Sequence, residues 1–179
     1  MTAFTVPGLS DTQGAEVAEL LQKALSRYND LHLTLKHVHW NVVGPNFIGV
    51  HEMIDPQVDL VRGYADEVAE RIAALGKSPM GTPGAIISDR TWDDYSVNRD
   101  TVQAHLAALD LVYTGVIEDT RKSIERLEEL DLVSQDMLIG HAGELEKFQW
   151  FVRAHLENSG GELVNEGATS EKAAAKKAK

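Results

Sequence analysis

The sequence predicts an all-α protein: a bundle of four long helices, with a long crossover carrying a short helix between the second and third. Three observations carry this. Apolar residues recur at three-and-four spacing through four separate stretches. The first and second stretches, and likewise the third and fourth, are joined by only a few residues. Between the second and third lies Lys77 to Asn98, which contains Pro79, Gly81, Pro83 and Gly84. That segment is too long and too interrupted for a turn, and connections of that length usually bridge a bundle or carry function.

Helix one is predicted from an N-cap at Ser10, through Val17, Leu20, Leu21, Leu25, Tyr28, Leu31, Leu35 and Val38, to a stop at Asn41-Val-Val-Gly44-Pro45. Asn46 is the expected cap of helix two, which carries Val50, Ile54, Val58, Val61, Val68 and Ile72 before Gly76 ends it. Pro56 lies inside it and lacks a backbone donor, so a kink or local loosening is expected there. Helix three runs from about Asp100 to the acidic stretch Glu128-Glu129-Leu-Asp131, and helix four from about Ser134 to Leu156. Two short links and one long crossing give a ferritin-like bundle rather than a simple up-and-down one. The expected organisation is therefore an N-terminal arm over 1–9, the bundle over 10–159 and a flexible lysine-bearing tail over 160–179.

Composition narrows the function classes. A net charge of −11 repels phosphates and attracts metal cations, so nucleic-acid binding has to be local. With no cysteine, disulfides, zinc–thiolate sites and thiol catalysis are excluded. The N-terminal residues lack the basic and apolar regions of a signal peptide, and no stretch reaches the roughly 18 apolar residues of a membrane span. A cytoplasmic protein without a membrane partner is expected.

The chemistry concentrates between His39 and Glu70. On one helix His51, Asp55, Asp66 and Glu70 share a face, within a sector of about 100°. They cannot share one ion, because a rise of ~1.5 Å per residue separates the two pairs by roughly 22 Å. Positions 51 and 70 have the same midpoint as 55 and 66. An antiparallel copy crossing at 60 and 61 therefore sets each His/Asp pair against an Asp/Glu pair, so a two-fold dimer builds two identical mixed sites. Imidazole with several carboxylates suits iron or manganese better than structural zinc. His51-Glu52-x-x-Asp55 lacks the second histidine of the zinc-protease helix, and Glu-x-x-His, the usual ligand pair of di-iron bundles, occurs nowhere. Asp59 and Arg62 share the same midpoint and are expected to pair across the two-fold, with pairing inside one chain as the alternative.

The pattern His39-Trp40-Asn41, Gly44, Phe47, His51, Asp55, Asp66 and Glu70 resembles the Dps family, the DNA-binding proteins from starved cells, or mini-ferritins. The resemblance spans all four helices, includes Lys147-Phe148-Gln-Trp150, and is strongest to actinobacterial members. It implies a dodecameric shell that oxidises Fe(II), preferentially with hydrogen peroxide, and stores the ferric product inside. It also implies a ferroxidase centre between two-fold-related subunits. Residues matching His39, His51 and Asp55 would come from one chain and residues matching Asp66 and Glu70 from the other. Trp40 is implied as a donor to stray oxidising equivalents, with aromatic packing at the interface as the alternative. His32, one heptad before His39, is either an outer neighbour of the site or ordinary packing. Glu128, Asp131 and Asp136 fall where the family has a three-fold iron-entry pore, although a solvated acidic helix start explains them equally well.

The tail lysines Lys172, Lys176, Lys177 and Lys179, repeated over a shell, would give multivalent and sequence-independent contact with DNA phosphates and nucleoid association. Glu162, Glu166 and Glu171 offset them, and a merely solubilising end is the competing reading. Two classes thus stand after the sequence: an iron-oxidising storage cage, and a nucleoid-compacting protein whose metal site only stabilises a dimer.

Overall fold

Ser10 opens α1 (Asp11–Asn41) in the computed structural model, which describes residues 5–179. The Gln13 N–H donates to the Ser10 hydroxyl at 3.3 Å, and the Ser10 N–H donates back to the Gln13 side chain at 3.1 Å. This reciprocal pair satisfies two helix-start donors and fixes the entry to the bundle. Residues 1–4 of the expected N-terminal arm lie outside the described residues.

Gly44 and Asn46 turn the chain with positive φ angles of 96° and 62°, and α2 (Phe47–Ala74) follows. Asn46 stands where a cap was expected, but its side chain makes no capping bond. Its contribution is the left-handed backbone, which Asn tolerates better than most residues and which the tight reversal demands. Helix α2 stays helical across Pro56. The proline offers no N–H to the Glu52 carbonyl, while buried Ile54, Val58 and Val61 hold the helix to the core on both sides.

The crossover climbs along α1 in the same direction as α1 itself. Gln22 holds the Met80 backbone through two 2.9 Å bonds, Trp92 Nε1 donates to Asp30 at 2.9 Å, and His37 Nε2 lies 2.9 Å from the Val97 carbonyl. Successive anchors at 22, 30 and 37 receive successive crossover residues, so the connection traverses the bundle from end to end. It carries the short helix α3 (Pro83–Asp89), capped by Thr82. At the top, β1 (Val42–Val43) pairs in parallel with β2 (Asp100–Thr101), with Val42 opposite Asp100. This small sheet, absent from the sequence reading, sets the start of α4 (Val102–Leu127) beside the end of α1.

Asp131 caps α5 (Leu132–Ala154), which returns against α4. Tyr28, Leu31, Leu35, Ile54, Ile72, Leu106, Leu109, Tyr113 and Leu138 are all fully buried between the four helices. Tyr113 spends its hydroxyl on buried Gln57 at 2.6 Å, joining α4 to α2 inside the core.

Residues 160–179, expected as a flexible tail, instead fold back. Asn165, almost fully buried, donates to Asp110 Oδ2 at 2.9 Å, and α6 (Glu171–Lys177) packs on α4 with Ala174 and Ala175 buried. Small residues on both sides make the close approach possible, since Ala175 meets Ala104, Ala108 and Val97. Lysine-rich composition hid this, because the packing face consists only of alanines.

Candidate metal centre

His39 sits in the last turn of α1 and His51 one turn into α2, so the tight link between these helices brings the two rings together. Their centroids are 3.6 Å apart and their planes 24° from parallel. His39 Nδ1 lies 3.0 Å from the His51 carbonyl, and His51 Nδ1 lies 3.0 Å from the His39 carbonyl. A carbonyl only accepts, so each ring carries its hydrogen on Nδ1 and keeps the Nε2 lone pair for a ligand. Reciprocal backbone bonds thus fix both tautomers and both ring planes, the support that a metal-binding imidazole ordinarily requires. Phe47 covers His51 from 5.4 Å.

Asp55, one turn after His51, brings Oδ1 to 3.1 Å from His39 Nδ1 and 2.9 Å from Lys36 Nζ. The hydrogen bond from the Lys36 ammonium, helped by the two imidazoles, holds this carboxyl below the usual range. Lys36 was not anticipated. It lies one turn before His39, and a basic residue at that spacing was the available signal. Its ammonium also sits 5.8 Å from the Trp40 ring, which projects outward at 71% exposure.

Asp66 and Glu70 occupy the far half of α2, exposed and a turn apart. Neither has a hydrogen bond or ion pair among the described residues. The helical rise puts this pair roughly 22 Å along the axis from the pair His51 and Asp55. Among the described residues, no three His, Asp or Glu side chains converge so as to hold an ion within this chain. One chain therefore presents two separate halves: a histidine half with Asp55, and an acidic half with no side-chain partner among the described residues. Asp59 and Arg62, exposed between them, likewise form no ion pair among the described residues, so the same-chain alternative is not adopted.

The other predicted residues separate clearly. Asp131 is only 8% exposed and accepts from Arg71 at 2.7 Å, from the Ser134 hydroxyl at 2.5 Å and from the Val133 and Ser134 N–H groups. Burial alone would raise its pKa, but Ser134 and Arg71 together hold the carboxyl below its usual range. Asp131, one of the residues expected near a pore, has its oxygens committed to the α5 cap and to Arg71. Glu128 and Asp136 remain exposed. His32 bonds its own helix at the Tyr28 carbonyl, 3.3 Å away, in the manner of packing. Lys172, Lys176, Lys177 and Lys179 are all exposed, and Lys177 donates to the Glu166 carbonyl and Lys179 pairs with Asp100, each at 2.6 Å. A concavity of about 650 Å³ between α1, the crossover, α4 and α6 shares no residue with the histidine half.

Comparison with known proteins places this arrangement. A family model described as a ferritin-like domain matches residues 18–159. The chain is 83% identical to the DNA protection during starvation protein of Mycolicibacterium smegmatis, over 100% of this chain and 98% of that relative. The chain belongs to the Dps family. The solved structure of Mycobacterium smegmatis Dps is similar to this Dps-family chain with a TM-score of 0.94 at 84% identity, covering 96% of this chain and 98% of that one. DpsA14 from Streptomyces coelicolor follows at TM-score 0.88 and 58% identity, over 90% of this chain and 96% of its own. The ferritin-like bundle expected from the two short links and the long crossing is thereby established. No helix among the described residues is long and apolar enough to cross a membrane.

Proposed function

We propose that this Dps-family chain oxidises Fe(II), preferentially with hydrogen peroxide, at centres shared by two-fold-related subunits, and stores the ferric product in a dodecameric shell. The observation that carries the proposal is the split site. Two imidazoles with fixed tautomers and free Nε2 atoms stand at one end of α2, and two carboxylates without side-chain partners among the described residues stand at the other. An antiparallel second copy brings the missing half to each.

Iron is the substrate here, and the donor set fits it. His39 and His51 bind Fe(II) without neutralising its charge, while Asp55, Asp66 and Glu70 supply anionic oxygens that favour the harder Fe(III). The product is thus held more tightly than the reactant. Each of two ferrous ions gives up one electron, the peroxide O–O bond breaks, and both oxygens leave as water with two protons from solvent. No single-electron cleavage of peroxide occurs, so hydroxyl radical is not released and DNA is protected whether or not it is bound. Lys36 holds Asp55 in the chain without iron and gives way as the cation arrives. Trp40 serves either as a one-electron donor beside His39 or as an interface side chain, and Trp40→Phe separates these through radical yield against assembly.

Entry past the exposed Glu128 and Asp136 is part of the same proposal. So is non-specific DNA contact through Lys172, Lys176, Lys177 and Lys179, which the name of the mycobacterial relative supports. A cytoplasmic, nucleoid-associated protein is the setting this implies. Replacing His51 with Ala tests the reading. Loss of peroxide-dependent Fe(II) oxidation with assembly retained supports it, and parental rates in the variant refute it.

A further inference from the structure

The C-terminal helix is attached by contacts that occupy the very lysines proposed to meet DNA. Glu171 Oε2 accepts the Ser96 N–H at 2.7 Å and the Ser96 hydroxyl at 3.0 Å, anchoring the start of α6 to the crossover. Ala174 and Ala175 are its only buried residues, and Ala175 rests against Ala104, Ala108 and Val97. At its end, Lys179 Nζ lies 2.6 Å from Asp100 Oδ2, and Lys177 Nζ donates back to the Glu166 carbonyl at 2.6 Å. All four lysines are exposed, but two of them, Lys177 and Lys179, already have acceptors of the chain itself, while Lys172 and Lys176 extend into solvent.

The attachment is slight for a structural element. Three small side chains, Ala174, Ala175 and the partly buried Ala178, and a few polar contacts hold α6, whose seven residues are far too few for a helix to persist alone in water. Undocking therefore unwinds it, and the residues after Glu166 become a flexible arm whose lysines are all free. The anchors on the body, Asp100 and the crossover, are also acidic or neutral acceptors that a phosphate would replace.

We infer that α6 is a latch: docked on α4 it withholds Lys177 and Lys179 from nucleic acid, and its release makes all four tail lysines available to a DNA backbone. This rests on the tail reading above. The latch predicts that duplex DNA and docking compete, so that loosening the helix tightens DNA binding without altering the charge of the chain.

Ala175→Gln wedges a longer neutral side chain between α6 and α4, outside the four-helix core. Two readouts on the full-length assembled protein are needed: tryptic cleavage after Lys172 and Lys176 without DNA, and retardation of a short DNA duplex across a salt series. The latch predicts that cleavage accelerates about tenfold and that duplex affinity at low salt rises. The slope of log affinity against log salt should steepen by roughly 2, as two further lysines release counterions. Cleavage at the parental rate shows that this face does not hold α6, and overturns the latch. Faster cleavage with unchanged affinity and slope shows that docking withholds nothing, and overturns it too. A chain ending at Gly161 separates the underlying reading. If that chain retards DNA as the full chain does, the tail is not the DNA contact, whatever the cleavage rates show about docking.

Discussion

A site divided between two chains makes a quantitative demand on mixed assemblies. Consider subunits with His51→Ala and subunits with Asp66→Ala, each inactive alone because each lacks one half of every site. In an equal random mixture about half of the two-fold pairs are heterologous. Within such a pair, the Asp66→Ala chain contributes an intact histidine half and the His51→Ala chain an intact acidic half, so one site is complete and the other doubly defective. About a quarter of all sites, and of the parental Fe(II) oxidation rate, should therefore return on mixing. The basis is geometric, since roughly 22 Å of helix separates the two halves within one chain. Mixing His51→Ala with Asp55→Ala is the control: both lesions lie in the same half, so no site recovers. The assay is peroxide-dependent ferric absorbance on reassembled protein of verified mass. No recovery in the first mixture, or equal recovery in both, would refute the shared site.

Other consequences are checked more simply. Lys36→Gln removes the ammonium from Asp55, so its carboxyl should titrate nearer the usual range by carbon NMR. Half-maximal oxidation should then need roughly two- to fivefold less Fe(II), the weight of a partly exposed ion pair; a higher requirement would show that Lys36 assists iron instead. Burial pushes the His141 and His105 imidazoles below their ordinary value of 6.5, with Glu67 opposing the shift only in part at His141. A base with a depressed folded pKa favours folding fully above its unfolded pKa and loses that contribution as pH falls below it. The unfolding midpoint should therefore hold steady above about pH 7 and decline below about 6.5. His141→Phe should flatten the decline, and an unchanged acid slope would exclude His141 as its source.

Much of this architecture is written locally in the chain. Ser10 and Gln13 form a capping box readable from identity and spacing, and the apolar repeat through Val17, Leu21, Tyr28 and Leu35 matches a buried face. The division of His51 and Asp55 from Asp66 and Glu70 follows from helix rise alone, and the chain keeps those pairs apart. What escaped depends on contacts distant in sequence. Asp131 looks like a free acid until Arg71, sixty residues earlier, is brought beside it. Lys36 reaches Asp55 only because the α1–α2 turn closes. The tail composition resembles a solvated arm, yet its alanines pack α6 on α4, which presents alanines at 104 and 108, and Glu171 and Lys179 anchor its ends. Asn46 occupies the expected position for a different reason, its backbone rather than its side chain.

Asp66 offers the cleanest test of the central claim. It is exposed and makes no hydrogen bond or ion pair among the described residues, so removing its carboxylate leaves the fold of the chain untouched. The decisive measurement is the rate of Fe(II) oxidation after adding peroxide anaerobically to assembled parent and Asp66→Ala of equal mass. The account predicts rapid oxidation by the parent and a variant no faster than buffer. Equal rates in the two proteins would contradict it.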